Sequence, residues 1–216
     1  MDQLWIEKYR PNNLNDIVGQ KKIITKIKDR VNNGGITHML FSGRPGVGKT
    51  ATANAIAKEL DTDIKELNAS DERGIDIVRS TIKDFCRHSF TPDRYKIMFL
   101  DEADGLTPES QDLLRRTMEK YSHTTRFILC ANNKKKIIEA LQSRCKDYDF
   151  KPIEPKEIAE RLDYIAQKEG LNMNEKQLKA ISDNCKGDLR KAINMLQNRD
   201  YPEEEKDDFD KILDKY

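Results

Sequence analysis

Between Gln20 and Val31, apolar residues return at Ile23, Ile24, Ile27 and Val31, the spacing of one face of a helix. Asn32-Asn33-Gly34-Gly35 ends it. His38-Met39-Leu40-Phe41 is an apolar run of strand length, followed by a Gly-rich turn and a helix over Lys49–Leu60. The alternation goes on: a strand near Ile64–Leu67, a helix from Ile75 to His88, and a strand at Lys96–Leu100. Thr107 and Pro108 then suit the N-cap and first position of another helix. Arg126–Ala131 reads as an apolar strand and Lys146–Phe150 as a final edge strand. Strands alternating with helices predict a parallel sheet covered on both faces. Trp5–Pro11 has no clean period and reads as an extended entry.

Beyond Lys151-Pro152-Ile153-Glu154-Pro155 the pattern changes. Helical stretches at Lys156–Lys168, Asn174–Asn184 and Asp188–Gln197 follow with no strand between them. The predicted organisation is an α/β domain over 1–152, a small all-helical domain over 153–200, and an acidic C-terminal helix or tail over 201–216.

Two segments carry chemistry. Gly43-Arg44-Pro45-Gly46-Val47-Gly48-Lys49-Thr50 fits the phosphate-loop pattern and lies between a predicted strand and a predicted helix, the context that pattern requires. Its glycines let backbone N–H groups crowd around phosphate oxygens at a helix N-terminus. Lys49 would neutralise the β- and γ-phosphates of ATP, and the Thr50 hydroxyl would ligate Mg²⁺. In the second segment, Ile97-Met98-Phe99-Leu100 delivers Asp101 and Glu102 to the end of a buried strand, where open α/β sheets place their ligands. Asp101 would hold the Mg²⁺ shell, and Glu102 would polarise the attacking water.

Composition narrows the class. Charged residues are 36% and hydrophobic residues 37%, which reads as a charge-dense soluble chain with a core rather than a disordered one. No apolar stretch has membrane-span length, so no membrane is expected as a partner. Cys86, Cys130, Cys145 and Cys185 form no Cys-x-x-Cys pair, which argues against a zinc site or a disulfide framework and for an intracellular setting. From Asp200 to Tyr216 eight acidic residues face three basic ones. The rest of the chain is therefore modestly basic, which permits an anionic partner.

With these segments in view, the chain resembles the AAA+ superfamily, and within it the small-subunit family of replication factor C, the sliding-clamp loader. The resemblance rests on Glu7-Lys8-Tyr9-Arg10-Pro11, Val18-Gly19-Gln20, Leu67–Gly74, Asp101-Glu102-Ala103-Asp104, Arg115-Arg116-Thr117-Met118-Glu119, Ser143-Arg144-Cys145 and Gly187-Asp188-Leu189-Arg190. It implies a P-loop AAA+ module, with a parallel five-stranded sheet flanked by helices, followed by a helical lid. It also implies that Tyr9, Arg10, Pro11, Val18 and Gly19 line an adenine pocket. Gly43, Pro45, Gly46, Val47, Gly48, Lys49, Thr50 and Ala51 would enclose the phosphates. Asn132 matches the family's first sensor, which orients the lytic water, although an Asn leaving a strand is otherwise a turn former. Arg190 matches the second sensor, on a lid helix, and is otherwise an ordinary exposed arginine. Arg144 matches an arginine finger that enters a neighbouring subunit's ATP site, so the chain alone is expected to be a weak ATPase. Arg116 is placed at the same subunit boundary.

Arg79, Lys83 and Arg87 fall at i, i+4 and i+8 on one predicted helix, with Arg73 at its entry. Such a stripe is usually a solvated face. The resemblance points Arg73, Arg79 and Lys83 toward the DNA backbone, through sequence-independent and salt-sensitive contacts. Lys134-Lys135-Lys136 reads as a solvated loop, and the loop Ser89–Pro92 lies on the side where the family meets its clamp.

The resemblance fades after Leu196, and the family's further helical collar is not matched; the expectation is a chain lacking that domain. Phe209, Ile212, Leu213 and Tyr216 form a narrow apolar face that needs a partner surface. The implied partners are the large and small loader subunits, the sliding clamp and primer–template DNA. The implied compartment is the cytoplasm of an archaeal cell or the nucleus of a eukaryotic one. Two further readings stand beside the clamp-loader ATPase: a nucleotide-dependent assembly module with little hydrolysis of its own, and another AAA+ DNA motor such as a branch-migration or initiator ATPase.

Overall fold

A computed structural model describes residues 3–33, 35–70, 76, 78–87 and 95–200. The described residues divide into two compact units, one within residues 11–151 and the other formed by residues 3–10 together with residues 152–200.

The first unit is built on five parallel strands, β1 (Met39–Ser42), β2 (Ile64–Asn68), β3 (Lys96–Asp101), β4 (Thr125–Ala131) and β5 (Lys146–Asp149), in the order β2-β3-β4-β1-β5. Leu40 pairs with Leu129, and Phe99 with Ile128, in a continuous register through the centre. Because strand side chains alternate, the apolar runs feed two cores. Met39, Phe41, Ile97, Phe99, Ile128 and Cys130 pack on one side with Ile24, Ile27, Ala53 and Ile56, from the helices Lys21–Asn32 and Lys49–Glu59. Leu40, Met98, Leu100, Phe127 and Leu129 pack on the other with Leu114 and Met118, from the helix Pro108–Lys120. That helix starts as the sequence predicts: the Thr107 side chain accepts from Ser110 N, and Pro108 opens the first turn.

The expected single helix from Ile75 to His88 is replaced, among the described residues, by a π-helical turn over Val78–Ile82 leading into the α-helix Lys83–Arg87. A wider turn shifts the helical phase of the residues after it. Positions 79, 83 and 87 therefore do not keep the strict α-helical i, i+4, i+8 alignment.

In the second unit, the helices Pro155–Lys168, Glu175–Asn184 and Leu189–Asn198 bury Ile158, Leu162, Ile165, Ile181, Ala192 and Leu196. Asn174 and Gln177 form a reciprocal capping box, and the Asp188 carboxylate accepts from Lys191 N at 2.9 Å. The opening segment is not extended. Trp5–Lys8 forms one helical turn, with Trp5 N donating to Gln197 Oε1 at 2.9 Å and Arg161 Nη2 to Tyr9 O at 2.8 Å. A single turn is too short to show a period, and side chains distant in sequence hold it. Residues 3–10, read with the α/β domain from sequence, belong to the helical unit.

Candidate active site

β1, β3 and β4 are consecutive in the sheet, and the chain emerging from their carboxyl ends carries the candidate chemistry. After β1, Gly43 adopts φ 145° with its α-carbon against the Phe150 carbonyl, where a Cβ would come within 2.4 Å of the oxygen. No other residue fits that turn. Gly46 and Gly48 follow at φ 72° and 99°, and the helix Lys49–Glu59 begins at once.

Lys49 is 7% exposed. Its ammonium curls back into the loop and donates to Gly43 O at 2.7 Å, Arg44 O at 2.9 Å and Asn132 Oδ1 at 3.1 Å. Thr50 Oγ1 donates to Asp101 Oδ2 at 2.9 Å, and the other Asp101 oxygen accepts from Glu102 N at 2.9 Å. Glu102 sits at φ 50°, a left-handed conformation that a glutamate adopts only at a cost of about 1–3 kcal/mol. Asn132 leaves β4 with its N–H donating to Asp104 Oδ1 at 3.2 Å, and Asn133 N donates to Asp104 Oδ2 at 3.0 Å. Lys49, Thr50, Asp101 and Asn132 are thus linked pairwise, with Glu102 joined through the Asp101 carboxylate.

Val18 and Gly19 reach the same region through their neighbours. Gln20 Nε2 donates to Val47 O at 3.5 Å and to Lys151 O at 2.6 Å, and Lys151 N donates back to Gln20 Oε1 at 3.2 Å. Ile17 would be the nearest group to a Cβ at Gly48, at 3.7 Å. Pro11 begins this unit, half-buried.

The donors suit a magnesium nucleotide. A hydroxyl and a carboxylate oxygen 2.9 Å apart are hard ligands of the kind Mg²⁺ takes one or two at a time, together with phosphates and water. The ammonium held by carbonyls inside a glycine loop lies where phosphate oxygens are received in such loops. Among the described residues, no three His, Cys, Asp or Glu side chains gather into a metal site of their own.

The remaining predicted residues lie elsewhere. Tyr9, Arg10 and Arg190 belong to the helical unit. Tyr9 donates its hydroxyl to Glu169 Oε1 at 2.5 Å, beside Lys8 Nζ, also at 2.5 Å from that oxygen. Partial burial and the Glu169 carboxylate push the Tyr9 hydroxyl up to about 12, while the hydrogen bonds from Lys8 and then Tyr9 hold Glu169 below the usual carboxylate range. Arg10 Nη2 pairs with Glu7 Oε1 at 2.9 Å. Arg190 is exposed in the first turn of its helix.

Arg144 follows the short helix Glu139–Gln142 in the α/β unit. It donates from Nε to Glu119 Oε1 at 2.7 Å and from Nη1 to Ala140 O at 2.7 Å. Lys83 is half-buried, while Arg87 and Arg116 are exposed. Arg73, the Arg79 side chain, the loop Ser89–Pro92 and the tail from Tyr201 lie outside the described residues. Lys134-Lys135-Lys136 forms a 3₁₀ turn, with Lys134 paired to Asp147 at 2.6 Å.

Sequence reasoning gave no separate role to Gln20, Asp104, Glu119 or Glu169. Gln20, Asp104 and Glu119 stood inside matched segments, which was the available signal. Glu169 had none.

A glycine loop between a central parallel strand and a helix, with an amide just after the neighbouring strand β4 and a carboxylate at the end of β3 beyond it, defines a P-loop nucleotide-binding site. Residues 39–152 match the ATPase family associated with various cellular activities (AAA), and residues 160–198 match the RCF1/5-like AAA+ ATPase lid domain. The chain belongs to the AAA family of ATPases. It is 47% identical over 207 residues to a replication factor C small subunit of Aeropyrum pernix, covering 93% of this chain and 64% of that protein. It is 49% identical over 200 residues to one of Methanoculleus marisnigri, covering 90% and 62%. The chain thus spans somewhat under two thirds of the length of these relatives. Among solved structures, the RuvB Holliday junction branch migration motor of Thermotoga maritima superposes with a TM-score of 0.77 at 22% identity, covering 89% of this chain and 65% of that one. This is a likeness of fold. No helix among the described residues is long and apolar enough to cross a membrane.

Proposed function

We propose that this chain is an ATP-hydrolysing subunit of a sliding-clamp loader, using ATP to place a clamp on primer–template DNA. The observation that carries the reading is the convergence of Lys49, Thr50, Asp101 and Asn132 at the ends of three neighbouring strands. The names of the similar proteins, replication factor C small subunits, supply the context.

In this reading the triphosphate lies along the loop from Gly43 to Ala51, beside Pro45 and Val47. Its β- and γ-oxygens take the place of the Gly43 and Arg44 carbonyls on the Lys49 ammonium. Thr50 and Asp101 would hold Mg²⁺, which when bound would supply positive charge to neutralise the phosphate oxygens. Glu102 accepts the proton of the attacking water, and the Asn132 amide orients that water beside the γ-phosphate. We assign Tyr9, Arg10, Pro11, Val18 and Gly19 to recognition of the adenine, and Arg190 to recognition of the γ-phosphate. Arg144 serves the site of a neighbouring subunit, where an in-trans arginine is worth about 10³–10⁵ in rate. Arg73, Arg79 and Lys83 contact DNA phosphates, so binding should weaken steeply with salt.

ATPase activity per chain, measured across protein concentration with and without primed DNA and a sliding clamp, tests the proposal. Activity that rises with concentration and with DNA and clamp supports it. Flat activity, blind to both, would make the chain a nucleotide-dependent assembly module instead. Stimulation by DNA alone, with the clamp inert, would favour another AAA+ DNA motor.

A further inference from the structure

The Arg144 guanidinium is held at three points on its own chain. Nε donates to Glu119 Oε1 at 2.7 Å, Nη2 pairs with the same oxygen, and Nη1 donates to Ala140 O at 2.7 Å. Glu119 stands in the last turn of the helix Pro108–Lys120, and Arg144 follows the helix Glu139–Gln142. The carboxylate is shared: Arg115 Nη1, one turn earlier, donates to Glu119 Oε1 at 3.2 Å and Oε2 at 3.4 Å. Arg115 also lies 3.8 Å from Asp112. The result is a charge ladder Asp112–Arg115–Glu119–Arg144 on one surface of the α/β unit.

Two properties of this ladder bear on Arg144. The Glu119 and Arg144 side chains are 45% and 35% exposed, and ion pairs in water contribute little and exchange readily. Moreover, Glu119 keeps a cationic partner, Arg115, when Arg144 leaves, so departure strands no carboxylate. A phosphate group accepts the planar guanidinium fork at least as well as a carboxylate does.

We infer that Glu119 is a latch that parks Arg144 on its own chain and yields it when the triphosphate bound to a neighbouring subunit docks against this surface. The inference rests on the reading of Arg144 as an arginine acting in trans. Glu119 is then a positioning residue. It raises the threshold for engagement between subunits, and it sets how much assembly is needed before hydrolysis begins.

The test compares wild-type, Glu119→Gln, Glu119→Ala and Arg144→Ala chains in the ATPase concentration series with primed DNA, alongside thermal melts. Releasing the latch should lower the concentration for half-maximal activity about twofold to fivefold, the range set by an exposed ion pair. Maximal turnover should stay within about twofold, and melting temperatures should match. A fall in maximal turnover with the half-point unmoved would overturn the latch, because Glu119 would then present the arginine rather than withhold it. Two unmoved parameters would overturn it as well. Arg144→Ala separates the two layers. If it keeps the wild-type concentration dependence, the trans reading fails and the latch falls with it. If it abolishes the activity while the Glu119 variants behave as wild type, only the latch fails.

Discussion

Asn132 and Lys49, 83 residues apart, meet in a hydrogen bond of 3.1 Å between the Asn132 side-chain oxygen and the lysine ammonium. The two residues leave adjacent strands, β4 and β1, whose register places Ser42 beside Ala131. A hydrogen bond to a charged donor contributes about 1.5–3 kcal/mol. The loop that would receive phosphate and the amide that would orient water are therefore fixed to each other in the chain as it folds.

Removing either partner should separate binding from chemistry. Asn132→Ala is expected to lower single-turnover hydrolysis by about 10²-fold, the loss typical of one oriented polar group. Affinity for a fluorescent ATP analogue should change only by about threefold, because the phosphates, rather than the Asn132 amide, are the main partners of the Lys49 ammonium once nucleotide binds. Lys49→Ala should abolish measurable nucleotide binding in the same assay.

The helical unit contains a second glycine whose geometry predicts a stability effect. Gly187 sits at φ 86°, and a Cβ there would lie 2.5 Å from Pro152 Cβ and 2.9 Å from Ile153 N. Ile153 N also donates to Gly187 O at 3.2 Å. Gly187→Ala must shift backbone as well as adopt a left-handed φ, and should cost about 1–3 kcal/mol. Urea denaturation followed by far-ultraviolet circular dichroism would register the loss as a lower midpoint.

How much of this was legible beforehand depends on whether a feature is local in sequence. The apolar runs at Met39–Phe41, Ile97–Leu100 and Phe127–Ala131 gave the central strands, and Gly43–Thr50 and Asp101-Glu102 gave the site, because each motif is contiguous. The turn over Trp5–Lys8 was missed because Gln197 and Arg161, far along the chain, hold the segment. The π-helical turn at Val78–Ile82 leaves no mark in a hydrophobic pattern. Asp104 lies in a contiguous motif, yet its work of pinning the N–H groups of Asn132 and Asn133 depends on β3 and β4 lying side by side. The grip of Glu119 on Arg144 likewise joins a helix end to a turn that sequence alone does not bring together.

His38 makes stability depend on pH. Its Nδ1 accepts from Phe127 N at 3.1 Å, and burial, aided by the nearby Arg126 charge, pushes its pKa down from 6.5 to about 4. The unfolded chain therefore takes up a proton that the folded chain refuses. This stability is complete above the unfolded value of 6.5 and is lost as pH falls from there toward 4. The loss should reach about 2–3 kcal/mol at the acid end. Denaturant midpoints from pH 7.5 to 4.5 would show it, and His38→Gln should flatten that part of the profile relative to wild type.

The most direct test of the account mixes two inactive chains. Lys49→Ala lacks a working phosphate loop but keeps Arg144; Arg144→Ala keeps the loop but lacks the arginine. Each alone should show almost no ATPase with primed DNA. If Arg144 serves a neighbour's site, the equimolar mixture should recover a substantial fraction of wild-type activity, rising with total concentration. A mixture no more active than its components, or an Arg144→Ala chain as active as wild type, would contradict the account.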